Sequence, residues 1–209
     1  LYLLLLAVAG ALVMPYMHMV LLMAVCFWIV AFILLLLPFE SVGFLKHPLV
    51  VALCGFLMLV PPFIAGYALH QIPIMLYGLI LYVGFYDTGA YYVGTAYGKH
   101  RLAPVLSPKK SYEGLVGGLV VSLVIGTLWY VCLAKSIAPS LYAYWAIGLL
   151  AMLSATLGDL FESALKRLFK IKDSGTLLPG HGGMLDRFDS LLAALPVITW
   201  LCLYVIHLK

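Results

Sequence analysis

An all-α protein that crosses a membrane several times is the architecture predicted by this sequence. Of its 209 residues, 65% are hydrophobic and only 10% charged, whereas a soluble domain carries roughly 25% charged residues. The apolar residues are gathered into long runs, which a water-soluble core cannot bury, so a bilayer is the expected solvent. The charges avoid those runs and collect at Glu40–His47, Lys99–Glu113 and Asp159–Asp189.

Taken in order, the apolar segments are Leu1–Met14, Met17–Leu37, Pro48–Leu69, Ile72–Val93, Leu115–Leu133, Leu141–Leu157 and Leu191–Ile206. A helix needs about 20 residues to cross about 30 Å of hydrocarbon. About six full spans are therefore expected. The first segment, at 14 residues, reads as the remnant of a longer span in a truncated chain, which opens on Leu1-Tyr2. Pro15-Tyr16 separates it from the second. Pro61-Pro62 falls inside the third span and is expected to kink it. In the fifth, Gly114, Gly118, Ser122 and Gly126 recur every four residues, a spacing that lets helix backbones approach closely. The four cysteines, Cys26, Cys54, Cys132 and Cys202, lie in apolar runs without metal-ligand spacing and read as packing residues. No repeat points to an inverted-repeat transporter.

Alternating crossings put Lys46, Lys99, Arg101, Lys109, Lys110, Lys166, Arg167, Lys170, Lys172 and Arg187 on one side, and Lys135 and Lys209 on the other. Ten against two is a strong positive-inside bias. Two polar loops, about 98–113 and 159–189, are thus expected to face the cytoplasm.

The block Gly158–Ser190 holds five acids and five bases. A topology signal needs only bases. Carboxylates among cations point instead to metal sites beside phosphate sites, since hard divalent ions such as Mg²⁺ take one or two carboxylates plus substrate phosphates. Asp159 ends an apolar run, and Asp159, Glu162 and Ser163 share a helix face. Asp186 and Asp189 open the last span, where an acid also suits a helix N-terminus. Lys166 and Lys170, at i, i+4, are expected to share a helix face, and Lys166, Arg167, Lys170 and Lys172 read equally well as interfacial anchors. Between the acids, Pro179-Gly180-His181-Gly182-Gly183 can aim amide N–H groups at a phosphate, although a lone histidine is more often structural. Upstream, Ser107-Pro108-Lys109-Lys110 suits a polyphosphate or an anionic headgroup, or a plain topology signal. Asp87, in LYVGFYDTGAYYVG, is a lone acid near the end of its span and so a functional candidate.

Ser163–Asp189, SALKRLFKIKDSGTLLPGHGGMLDRFD, resembles the signature of phosphatidate cytidylyltransferases, the CDP-diacylglycerol synthases: Ser, Lys-Arg, Lys-Asp, His-Gly-Gly, Asp-Arg, Asp. DTGAYYVG and SPKKSYEG also look like family segments in the expected order. The resemblance runs from about Leu79 to the end. Bacterial members are usually longer at the N-terminus. It implies a single membrane-embedded domain in a bacterial inner membrane that transfers a cytidylyl group from CTP to phosphatidate with Mg²⁺, and with a second cation allowed. The implied metal ligands are Asp159 and Asp186. Lys166, Arg167 and Arg187 are the expected charge-neutralising residues. Ser107, Lys109, Lys110, Asp87, Lys172, Asp173, His181, Gly182, Gly183 and Asp189 are the expected substrate contacts. The partners are CTP, phosphatidate and the bilayer. Nucleic acid is not expected, and a homodimer is allowed. Two rivals stay open: another CTP-dependent lipid enzyme, such as a polyprenol kinase, and an anion transporter.

Overall fold

The computed structural model describes residues 14–135, 140–175 and 183–206. Apart from Met14, the expected first span therefore lies outside the described residues, as do Pro179–Gly182. The described elements run as follows. A short 3₁₀ turn, Met14–Tyr16, leads into α1 (Met17–Leu36). A 3₁₀ stretch, Phe39–Lys46, precedes α2 (Pro48–His70) and α3 (Pro73–Tyr97). A β-hairpin follows, β1 (Arg101–Ala103) and β2 (Ser107–Ser111). The chain then forms α4 (Tyr112–Trp129), α5 (Leu141–Leu168) and α6 (Leu185–Trp200). π-Helical turns at Tyr130–Ala134 and Leu201–Val205 extend α4 and α6.

Among the described residues, five helices are long and apolar enough to cross a membrane: Met17–Leu36, Pro48–His70, Tyr112–Ala134, Leu141–Leu168 and Leu185–Val205. α3 is not among them. Its 25 residues are sufficient in length, but six tyrosines and Asp87 dilute its apolar character. α2 is helical through Pro61-Pro62; Pro61 is fully buried.

The chain divides into two compact units, Leu1–Ala68 with Ser154–His207, and Leu69–Leu153 with Leu208–Lys209. In the first, α1 packs on α6. Trp28 and Ala31 of α1 meet Met58, Phe161, Leu192 and Ala193 in one buried cluster. Trp28 and Phe161 stand edge to face with ring centroids 5.9 Å apart, a preferred aromatic geometry. Leu168, at the end of α5, packs on Val42, Leu45 and Cys54. The outer face of α1 is apolar as well, with Met19, Met23, Ile29, Phe32 and Ile33 exposed. Such helices associate through close packing, since lipid removes the hydrophobic drive between them.

In the second unit, α3 and α4 lie backbone to backbone. Gly114, Gly118, Ser122 and Gly126 are all buried. A Cβ added to Gly118 would stand 2.5 Å from the Tyr86 carbonyl oxygen, and one added to Gly89 would stand 3.1 Å from the Gly118 Cα. The four-residue stripe is therefore a packing device. The hairpin, in the segment expected to be a loop, is anchored to α4: Glu113 accepts from the backbone N–H groups of Lys99 (3.1 Å) and His100 (3.2 Å), and its carboxylate meets His100 Nδ1 at 2.6 Å. Ser111 caps α4 by accepting from the Gly114 N–H at 3.1 Å.

The polar segment 159–189 is shorter as a loop than expected, because both ends are helical. α5 continues 11 residues past Leu157, to Leu168, where hydropathy alone would end the span. Phe161, Ala164 and Leu168 keep a buried apolar face there, and residues 159–168 are mostly good helix formers. α6 likewise starts at Leu185, before the apolar run. The expectation that Lys166 and Lys170 share a helix face fails because the helix stops between them, at Leu168. Lys170 adopts a left-handed φ of 56°. The Ile171 N–H bonds back to the Lys166 carbonyl (3.0 Å) and the Lys170 N–H to the Arg167 carbonyl (3.1 Å), the paired 6→1 and 5→2 bonds of a Schellman cap.

Candidate active site

The overrun of α5 and the early start of α6 put one turn of each helix side by side. A Cβ on Gly158 would run into the Asp189 carbonyl oxygen, so the missing side chain allows α5 and α6 to approach there. About two turns further along α5, Lys166 reaches across to Asp186 of α6, with Nζ 2.7 Å from Oδ1. The same ammonium pairs with Glu162, one turn earlier on its own helix.

Asp186 is the hub of the site. Its Oδ1 faces Lys166, while Oδ2 accepts from the Ser174 N–H and hydroxyl, both at 2.9 Å, and from the Gly183 N–H at 2.7 Å. Ser174 and Gly183 flank the Gly-rich segment. Asp186 therefore ties both flanks of that segment to the first turn of α6. Gly183 has no room for a side chain, since a Cβ would strike Ser174 Oγ. The acid at the helix N-terminus is satisfied by loop amides as well as by the helix dipole.

Of the residues expected from sequence, Lys166, Asp186 and Gly183 are brought into direct contact. Asp159 is half-buried on α5, where its Oδ1 accepts from Ser163 Oγ at 3.3 Å. Asp189 is half-buried, its Oδ1 accepting from the Ser190 N–H at 2.7 Å. Arg167, Lys172, Asp173 and Arg187 are exposed. His181 and Gly182 lie outside the described residues. Asp87, Ser107, Lys109 and Lys110 belong to the other compact unit. Asp87 is exposed on α3, and Ser107, Lys109 and Lys110 lie on β2, with Lys109 exposed and the other two half-buried.

Sequence reasoning missed two residues. Glu162 is named above only as part of a helix face, although its i, i+4 spacing to Lys166 was legible. Ser174 had no comparable signal, because its partner stands 12 positions away.

Among the described residues of the site, the donor set available to a metal is oxygen, which suits a hard cation. Among the described residues no group of three or more His, Cys, Asp or Glu side chains is assembled to hold one. The described residues fit a Mg²⁺ bound by one or two carboxylates and completed by substrate phosphates.

A model of the cytidylyltransferase family matches residues 1–205. A protein named phosphatidate cytidylyltransferase from Haemophilus influenzae is 35% identical over 212 aligned residues, covering 95% of this chain and 73% of that protein. Proteins of the same name from Bacillus subtilis and Staphylococcus saprophyticus are 48% and 46% identical over 115 and 125 residues. Those shorter alignments cover 42% and 47% of the relatives' own lengths.

Proposed function

The chain belongs to the cytidylyltransferase family, and from that premise we propose that it makes CDP-diacylglycerol and pyrophosphate from CTP and phosphatidate. The observation that carries this reading is the similarity, over 95% of the chain, to a protein named for the activity. The convergence of Lys166, Asp186, Ser174 and Gly183 supports it, because polar groups at the end of two apolar helices lie where a lipid headgroup and a nucleotide can meet.

In the proposed reaction a phosphate oxygen of phosphatidate attacks the α-phosphorus of CTP. One P–O bond forms there, and the bond from that phosphorus to the oxygen bridging the β-phosphorus breaks, releasing pyrophosphate. The attacking phosphate is largely dianionic near neutral pH, with a second pKa of about 6 by analogy with phosphorylated side chains. A strong general base is unnecessary, and His181 is given no such role. The obstacle is repulsion between two anions, so the protein's work is positioning and charge neutralisation.

Asp159 and Asp186 are the proposed ligands of Mg²⁺, which supplies charge neutralisation at phosphate oxygens when bound. Arg167 and Arg187 neutralise the triphosphate. Lys166 donates toward it. Ser107, Lys109, Lys110 and Asp87 are proposed to contact CTP or the headgroup, with Lys172, Asp173, Gly182, Gly183, His181 and Asp189 as further contacts. The acyl chains stay in the bilayer of a bacterial inner membrane, with the site toward the cytoplasm as the positive-inside bias implies. A homodimer is compatible with this reaction.

The test is incorporation of radiolabelled CTP into lipid, with phosphatidate and Mg²⁺ omitted in turn. Label should enter lipid only when both are present. The label is on the α-phosphorus for this test; transfer of γ-phosphate label to a polyprenol instead would point to a kinase, and no entry of α-label into lipid with phosphatidate would overturn the proposal.

A further inference from the structure

Glu162 has no place in the signature that carries the family resemblance, yet it is the one buried charged side chain among the described residues, 2% exposed. Burying a carboxylate is costly even when it is paired, and an apolar side chain of similar volume often serves stability as well or better. Its presence therefore calls for a purpose beyond packing. The geometry supplies one. An ammonium has three N–H donors. The Lys166 ammonium forms an ion pair with Glu162 of its own helix and a hydrogen bond to Asp186 of α6. With the nitrogen held between carboxylates on two separate helices, the direction in which a further N–H can point is set. Asp186 alone would leave a four-carbon chain free to pivot about a single contact.

We propose that Glu162 is a positioning residue: it fixes the Lys166 ammonium so that its remaining N–H points at a phosphate oxygen of the reacting nucleotide. This rests on the cytidylyltransferase reading. It predicts an unusual kinetic split. Glu162→Gln removes one negative charge beside a site for a polyanion, so KM for CTP should stay level or fall. Turnover should drop by about 10- to 100-fold, the scale set by misplacement of a catalytic group.

The experiment uses the full chain in phosphatidate-containing micelles, comparing wild type, Glu162→Gln, Lys166→Met and the double variant. Because Glu162 acts only through Lys166, the double variant should turn over within about twofold of Lys166→Met. The double variant should also melt higher than Lys166→Met, which strands a buried carboxylate. A Glu162→Gln kcat within about twofold of wild type, a rise in KM for CTP without loss of kcat, or costs that multiply in the double variant would each overturn the inference. Should Glu162→Gln not fold, Glu162→Asp takes its place. It keeps the charge but draws the carboxylate back by one methylene, so a partial loss of kcat is expected and a wild-type rate is disqualifying. A wild-type chain that forms no CDP-lipid overturns the functional reading and this inference together; an active wild type with an indifferent Glu162 overturns the inference alone.

Discussion

Lys170 holds a left-handed backbone, φ 56°, to close α5. Glycine takes this conformation freely and an L-residue at a cost of about 1–2 kcal/mol. Lys170→Gly should therefore raise stability by about 0.5–1 kcal/mol once the glycine's greater freedom in the unfolded chain is subtracted, read as a shift in melting temperature in detergent. Asp186 presents the opposite case. Its carboxylate receives three hydrogen bonds and an ion pair. In Asp186→Asn an amide N–H₂ must face either the Lys166 ammonium or the loop N–H groups. Turnover should be abolished, and stability should fall by about 1–3 kcal/mol as buried donors lose their acceptor while Lys166 keeps its pair with Glu162. Asp159→Asn carries no such structural load on Lys166. It should lose CTP-dependent pyrophosphate release at near-normal melting temperature, and normal turnover would remove Asp159 from the metal role.

At the scale of elements, the close approach of α5 and α6 depends on one missing side chain. A methyl at position 158 meets the Asp189 backbone carbonyl, which has nowhere to rotate. Gly158→Ala should cost about 1–3 kcal/mol. It should also lower kcat by at least about tenfold, because the helices separate where Lys166 must reach Asp186. Unchanged kinetics with lowered stability would show that the 2.7 Å contact tolerates the displacement. The hairpin follows a related logic. Ser107–Lys110 was legible as a polar, basic loop, but its strand conformation was not, because Glu113 organises it through backbone groups 13 and 14 positions upstream. The glycine stripe of α4 was legible as a packing face, since a four-residue period is a property of one helix.

For the whole molecule, the testable claim is orientation. In a chain with its four cysteines replaced by alanine, Lys109→Cys should react with a membrane-impermeant maleimide only in inverted vesicles. Lys135→Cys should react only in right-side-out vesicles. The reverse pattern would overturn the cytoplasmic placement of the site. Hydropathy located the described helices well because transfer from water to lipid is scored residue by residue. It misjudged their ends, setting α5 at Leu157 where the helix runs to Leu168. Helicity there follows from backbone hydrogen bonding and one apolar stripe, and the hydropathy average registers neither.

Composition and order alone determined the solvent, the class of fold and the family signature. Each depends on which residues occur and how they are spaced along one segment. What only the tertiary structure decided is which of the charged residues meet. Lys166 and Asp186 are 20 positions apart, on different helices, and they touch because Gly158 lets α5 and α6 approach at that end. The same packing makes Asp186 the hub that ties Ser174 and Gly183 to the helix, and it buries Glu162 beside Lys166. A linear reading ranks such residues by their type, but their duties follow from the one or two ångströms that helix packing adds or removes.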